Sequence, residues 1–115
     1  MGKHAWDQVP LEQMNALITR RMLHTKNTTV ARLTLKKGAV VPEHRHENEQ
    51  VSMILSGSLL FRFPDEEVLV SAGEVLTIES NRPHSAEAVE DCLAIDLFSP
   101  PREDWIRGDD AYLRR

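Results

Sequence analysis

The stretch Pro42–Gln50, PEHRHENEQ, concentrates the side chains best able to do chemistry in this chain. His44 and His46 stand one residue apart, and Gln50 follows shortly after. On an extended strand, residues i and i+2 face the same side about 7 Å apart. Two imidazoles can therefore be aimed at one point. Such a pair suits zinc, nickel, copper or iron rather than calcium or magnesium. A third imidazole is available from His84, which follows Pro83 in a turn that leads into HSAEA. It can join the pair only through space. His4 and His24 have no such neighbours and read as ordinary surface or core histidines. Near the C-terminus, Asp96 interrupts the apolar run CLAIDLF on the side shared with Ala94 and Phe98. A carboxylate there is costly unless paired or used. It reads either as half of a structural ion pair or as a general acid or base facing the metal.

Short strands must carry these residues. Thr29–Leu35, Val51–Leu55, Leu59–Phe63, Glu67–Val70, Glu74–Ile78 and Cys92–Phe98 are apolar and partly β-branched. Turn signals (KKG, SGS, PDE, SAG, SNRP) separate them. Strands thus recur about every 8 to 12 residues, the rhythm of a β-sandwich or barrel. Helix is expected only near Pro10–Ala16 and in SPPREDWIRG, where Ser99 would cap, Pro100 would open the first turn and Gly108 would stop it. Residues 109–115 read as a mobile tail unless a partner holds them. In Leu59–Phe63 the odd positions form one apolar face. Cys92–Phe98 is apolar on both faces, which predicts cover on both sides. A small barrel covers only its inside, so the outer face predicts a homodimer.

The bulk numbers narrow the classes. With 115 residues the chain is expected to be one domain. A net charge of −4 gives no basic footprint for nucleic acid. Cys92, the single cysteine, excludes an internal disulfide and fits a reducing compartment. The opening MGKHAWDQVP has no apolar signal core, and no run approaches membrane-span length. The expectation is a soluble, cytoplasmic protein without a membrane partner.

The spacing of glycines and histidines resembles the cupin superfamily. Gly38, His44, His46, Gln50 and Gly57 fall in the register of its first motif, and Gly73, Glu79, Asn81 and His84 in that of its second. Glu79 stands where the family has proline, Asn81 where it has glycine, and Ala88 where it often has asparagine. Asparagine tolerates the positive φ that such a turn needs. The resemblance implies an all-β double-stranded β-barrel, or jelly roll, with its core at about residues 18–99. It also implies one divalent transition metal ion (nickel, zinc, iron or manganese) held by His44, His46, Gln50 and His84.

Residue 50 departs from the usual glutamate of metal cupins. Three neutral imidazoles and an amide oxygen leave a divalent site at its full charge, which favours an anionic ligand and Lewis-acid chemistry over oxygen activation. Glu47 or Glu49 could supply a carboxylate if the chain bulges here, but alternation puts Gln50 in phase with the histidines. A narrower resemblance follows. His-x-His-x3-Gln, with Asp96-x-Phe98-x-Pro100-x-Arg102-Glu103-Asp104, is similar to KdgF-type pectin-degradation cupins. The RRML and VPEH segments and the tryptophan near the N-terminus share the likeness, whereas Glu47-Asn48 replaces the Pro-His of many members. This resemblance implies a 4,5-unsaturated uronate monosaccharide, a small anionic sugar, as substrate. It implies non-redox conversion to the linear 4-deoxy-5-keto form, with Asp96 catalytic, Phe98 against the substrate and Arg102 gripping it. The same residues leave a cupin dioxygenase, or a non-catalytic module that binds a small ligand, as alternatives.

Overall fold

The computed structural model describes residues Met1–Arg115. Ten strands run in the order β1 (Glu12–Gln13), β2 (Ile18–His24), β3 (Thr29–Leu35), β4 (Val40–His44), β5 (Glu49–Ser56), β6 (Ser58–Arg62), β7 (Glu67–Ser71), β8 (Val75–Ile78), β9 (His84–Ala88) and β10 (Cys92–Ser99). They form two antiparallel sheets, β1-β2-β3-β10-β5-β8 and β4-β9-β6-β7. The core lies between them, giving the all-β jelly roll expected from the strand rhythm.

Alternation decides which side chains meet there. On β3, Ala31, Leu33 and Leu35 point inward and are buried, while Arg32 and Thr34 point out. On β6, Leu59 and Phe61 supply the facing layer, continued by Phe63. β10 sits between β3 and β5, so Phe98 is opposite both Thr29 and Gln50. Its inward face carries Cys92, Ala94 and Phe98; its outward Leu93, Ile95 and Leu97 are only half covered. The turn from β5 to β6 requires glycine. Gly57 has φ +76°, and a Cβ there would fall 2.0 Å from the Asp91 carbonyl oxygen.

Three expectations are corrected. The segment Pro10–Ala16 is not helical: Glu12 and Gln13 pair with Arg20 and Thr19. The Asn15 side chain accepts the backbone N–H of Leu17 (2.8 Å) and Ile18 (3.0 Å), closing a turn that competes with helix. The C-terminal helix α1 spans only Glu103–Ile106: Ser99 stays in β10, and Arg102 holds the N-cap position. Gly108, with φ +84°, ends it as expected. Residues 109–115 are not a free tail, since the chain itself holds them. Asp110 meets the buried Arg20 at 2.7 Å, the Leu113 side chain enters the core, and the Asn15 amide donates to the Leu113 carbonyl. Removing one partner of a buried ion pair costs about 3–5 kcal/mol, so this anchorage is substantial. No helix is long and apolar enough to cross a membrane.

Candidate metal centre and adjoining cavity

Two turns bring the histidines together. β4 ends at His44, which pairs with His84 at the start of β9 across an irregular register. His46 lies just past the strand rather than on it. Its carbonyl accepts the Asn81 N–H at 2.7 Å. Asn81 has φ +63°, the conformation expected where the family has glycine. That contact ties the turn before His84 to the loop carrying His46. One ligand atom from each of His44, His46 and His84 lies within 4.8 Å of the others.

Backbone carbonyls set the direction of each ring. Nδ1 of His44 donates to the Pro42 carbonyl (2.8 Å), that of His46 to the Asn48 carbonyl (3.0 Å), and that of His84 to the Arg82 carbonyl (2.8 Å). Burial disfavours the charged ring and outweighs these contacts, so His44 and His46 are pushed down to about 4 and His84 is lowered too. A neutral ring with its proton on Nδ1 presents a lone pair at Nε2. The His84 Nε2 is buried without a hydrogen-bond partner. The His46 Nε2 faces Gln50 Oε1 at 3.1 Å, two acceptors turned toward one another. Gln50 is buried, whereas Glu47 and Glu49 are exposed, so alternation selects the amide. Three imidazole lone pairs and an amide oxygen thus converge without a proton among them. A borderline transition cation fits that donor set.

These buried neutral rings fix how the metal-free protein meets acid. Below pH 6.5 the unfolded chain takes up protons at His44 and His46 that the folded chain refuses until about pH 4. Stability therefore falls as pH drops through that window. His44 contributes roughly 3 kcal/mol to the loss, and the more exposed His46 less. Asp96 works in the opposite direction. Burial raises its carboxyl to about 6, so its penalty fades as pH falls below that value and offsets part of the loss. Urea unfolding of the metal-free protein at pH 7 and pH 5 should show the lower midpoint at pH 5. Equal midpoints would contradict the buried neutral rings.

Beside the histidines lies a cavity of about 50 Å³, lined by His44, Gln50, His84, Asp96, Arg102 and Tyr112 among others. Asp96 does not form the ion pair that one sequence reading allowed: its Oδ1 is buried without a partner. The Ser52 hydroxyl opposite it on β5 and the more distant Arg102 charge only partly counter the desolvation. Phe98 is buried, with its ring edge on His46. Arg102 is also buried, its guanidinium stacked on Phe98 and Trp105. Its Nε and one terminal nitrogen grip Asp104 at 2.9 and 2.8 Å, and that terminal nitrogen also donates to the Tyr112 hydroxyl. Six of the seven residues expected at the site (His44, Gln50, His84, Asp96, Phe98 and Arg102) line this cavity; His46 lies beyond its lining, against Gln50 and Phe98, and Arg102 is already engaged.

Sequence reasoning did not single out Tyr112 or Ser52, and it marked Asn48 only as a departure from the family pattern. Tyr112 stacks on His44 at 4.7 Å between centroids, so the turn Ala111–Leu113 closes the barrel mouth. Ser52 shares Gln50's strand phase, the one signal that could have marked it. Asn48, in the Glu47-Asn48 departure, donates to the Pro100 and Pro101 carbonyls and so fixes the loop that delivers Arg102.

Known proteins agree with this architecture. The cupin domain model matches residues 31–98. A KdgF structure from Halomonas sp. superposes with TM-score 0.79 at 29% identity, covering 86% of this chain and 94% of that one. An RmlC-like cupin from Shewanella frigidimarina gives TM-score 0.82 at 25% identity, covering 89% and 93%. An oxalate-binding protein of Thermotoga maritima is 33% identical over 76 residues, 65% of this chain and 63% of that protein's length. Since the cupin domain model takes in both histidine motifs and more than half of the residues, the chain belongs to the cupin family.

Proposed function

We propose that this cupin converts an unsaturated uronate monosaccharide to its linear 4-deoxy-5-keto form. The observation that carries the reading is the convergence of His44, His46 and His84, with Gln50 against His46, beside a cavity that Asp96 and Arg102 line. The likeness to the Halomonas KdgF supports it.

The reaction is an isomerisation. Ring opening takes a proton from the anomeric hydroxyl, breaks the bond to the ring oxygen, and delivers a proton to that oxygen. The resulting enol then loses its proton while the vinylic carbon gains one. No electrons are exchanged. Asp96 is assigned the movement of these protons. Its carboxyl, held near pH 6 by burial, can both accept and return a proton near neutrality. Arg102 attracts the uronate carboxylate, and Phe98 forms an apolar wall beside His46. Bound metal would polarise the sugar oxygens. About 50 Å³ is far below the ~300 Å³ or more of ordinary ligand pockets. The turn Ala111–Leu113 must therefore withdraw to admit a sugar, which would also release Tyr112 from Arg102.

That small cavity favours a second reading, a module binding a compact dianion such as oxalate, in line with the Thermotoga relative. Calorimetric titration of oxalate into the metal-loaded protein separates the two. Tight stoichiometric binding of oxalate, with uronate left unchanged, would establish the second and refute the first.

The half-covered outer face of β10 we assign to a second copy of the chain. Leu97 there lies between Val30 and Val51, and Ile95 is flanked by Met53. The expected sedimentation mass at micromolar concentration is that of a dimer; a monomer mass would contradict the assignment.

A further inference from the structure

The structure assigns Ser52 as the positioning residue that turns the Gln50 amide oxygen, rather than its NH2, toward the three histidines. This rests on the metal-binding part of the proposed function and not on the sugar chemistry.

An amide ligand has a problem that a carboxylate lacks. Its two ends are nearly the same size, but only the oxygen can hold a cation; the NH2 end carries protons and would repel it. Something must choose between two orientations related by a half-turn. In this fold the choice is made one strand position further on. Gln50 and Ser52 share the inward face of β5, and both are buried, Ser52 completely. Gln50 Nε2 donates to Ser52 Oγ at 2.9 Å, which leaves Oε1 facing His46 Nε2 at 3.1 Å.

Ser52 could in principle be satisfied the other way, donating its proton to a flipped amide oxygen. Its cross-strand neighbour prevents this. Asp96 is the register partner of Ser52 on β10, and the Ser52 hydroxyl acts to lower the Asp96 carboxyl, the effect of a proton turned toward it, although no hydrogen bond closes between the two. A hydroxyl has one proton and two lone pairs. With the proton turned toward Asp96, lone pairs are left for Gln50, and only the NH2 end can use them. The polarity then runs in one direction, from the amide NH2 to the Ser52 oxygen and from the Ser52 proton to Asp96. Ser52 thereby links the metal centre to the proposed proton-transfer group without touching either substrate or metal.

The test is a double-mutant cycle read by zinc affinity, using competition with a chromophoric chelator. Ser52→Ala should weaken zinc binding about 10- to 100-fold, the range typical for groups that orient a ligand. In a Gln50→Glu background the same substitution should cost no more than about threefold, because either carboxylate oxygen can serve as ligand. Gln50→Glu/Ser52→Ala also keeps the test valid if Ser52→Ala alone folds poorly. In the zinc-loaded wild type, the Gln50 side-chain NH2 protons should exchange slowly with solvent, and Ser52→Ala should remove that protection. Equal zinc losses in both backgrounds, or no loss in either, would overturn the assignment.

Discussion

An Asp96→Asn variant is expected to bind zinc or nickel as the wild type does and to lose uronate conversion by about 10²- to 10⁴-fold. The size of the loss follows from what is removed. Asparagine keeps the shape of the side chain and an oxygen that can accept from Ser52, so the Gln50 amide stays oriented. It cannot carry a proton. Asp96 also lies outside the convergence of His44, His46 and His84, so its replacement removes no donor from the metal centre. Stability should move the other way from activity. Burial raises the Asp96 carboxyl to about 6, so above that pH the folded state carries the cost of an ionised buried group, and the neutral amide relieves it. A variant that is dead, metal-loaded and at least as stable at pH 8 is the expected combination, read by NMR turnover, metal analysis and urea unfolding. Normal turnover by Asp96→Asn would remove it from the reaction.

His84→Ala should have the largest effect on the metal. Replacing a group that merely orients a ligand costs about 10- to 100-fold in affinity, so deleting one of three imidazoles should exceed that range. Thermal unfolding gives a clean readout. A ligand bound only by the folded state adds about 4 kcal/mol at a thousandfold excess over Kd. For a chain of this size that raises Tm by on the order of 10–20 °C. Wild type should show this rise with added zinc, and His84→Ala should show little. In the metal-free fold the change removes the Nδ1 contact to the Arg82 carbonyl and a buried ring, so each variant's own metal-free Tm is the reference for the rise. Full zinc loading of His84→Ala would mean that the site lies elsewhere.

Much of this site was legible in the sequence because strand geometry is short-ranged. The period of two placed Gln50 rather than Glu49 in the core and put Asp96 on the inward side with Ala94 and Phe98. Asn81 was readable as a left-handed turn residue, and its φ of +63° agrees. What escaped depends on contacts between distant segments. Tyr112 has no local signal. It matters because Arg20, far away in sequence, holds Asp110 and so docks the last turn over His44. Arg102 was read as a free grip for a carboxylate, but Asp104, two residues on, satisfies it first. The helix expected at Pro10–Ala16 failed for a similar reason. Asn15 closes a turn locally, and Glu12 is drawn to Arg20 in the neighbouring strand.

In the proposed reaction a neutral metal centre and the Asp96 carboxyl together open an acidic sugar. The direct measurement is to add the metal-loaded protein to freshly generated unsaturated uronate and follow the vinylic proton signal by NMR. The expected result is rapid loss of that signal and growth of the linear keto form, with no oxygen consumed and with Asp96→Asn inert at equal metal loading. A decay no faster than that of the sugar alone, in protein shown to hold one metal per chain, would contradict it.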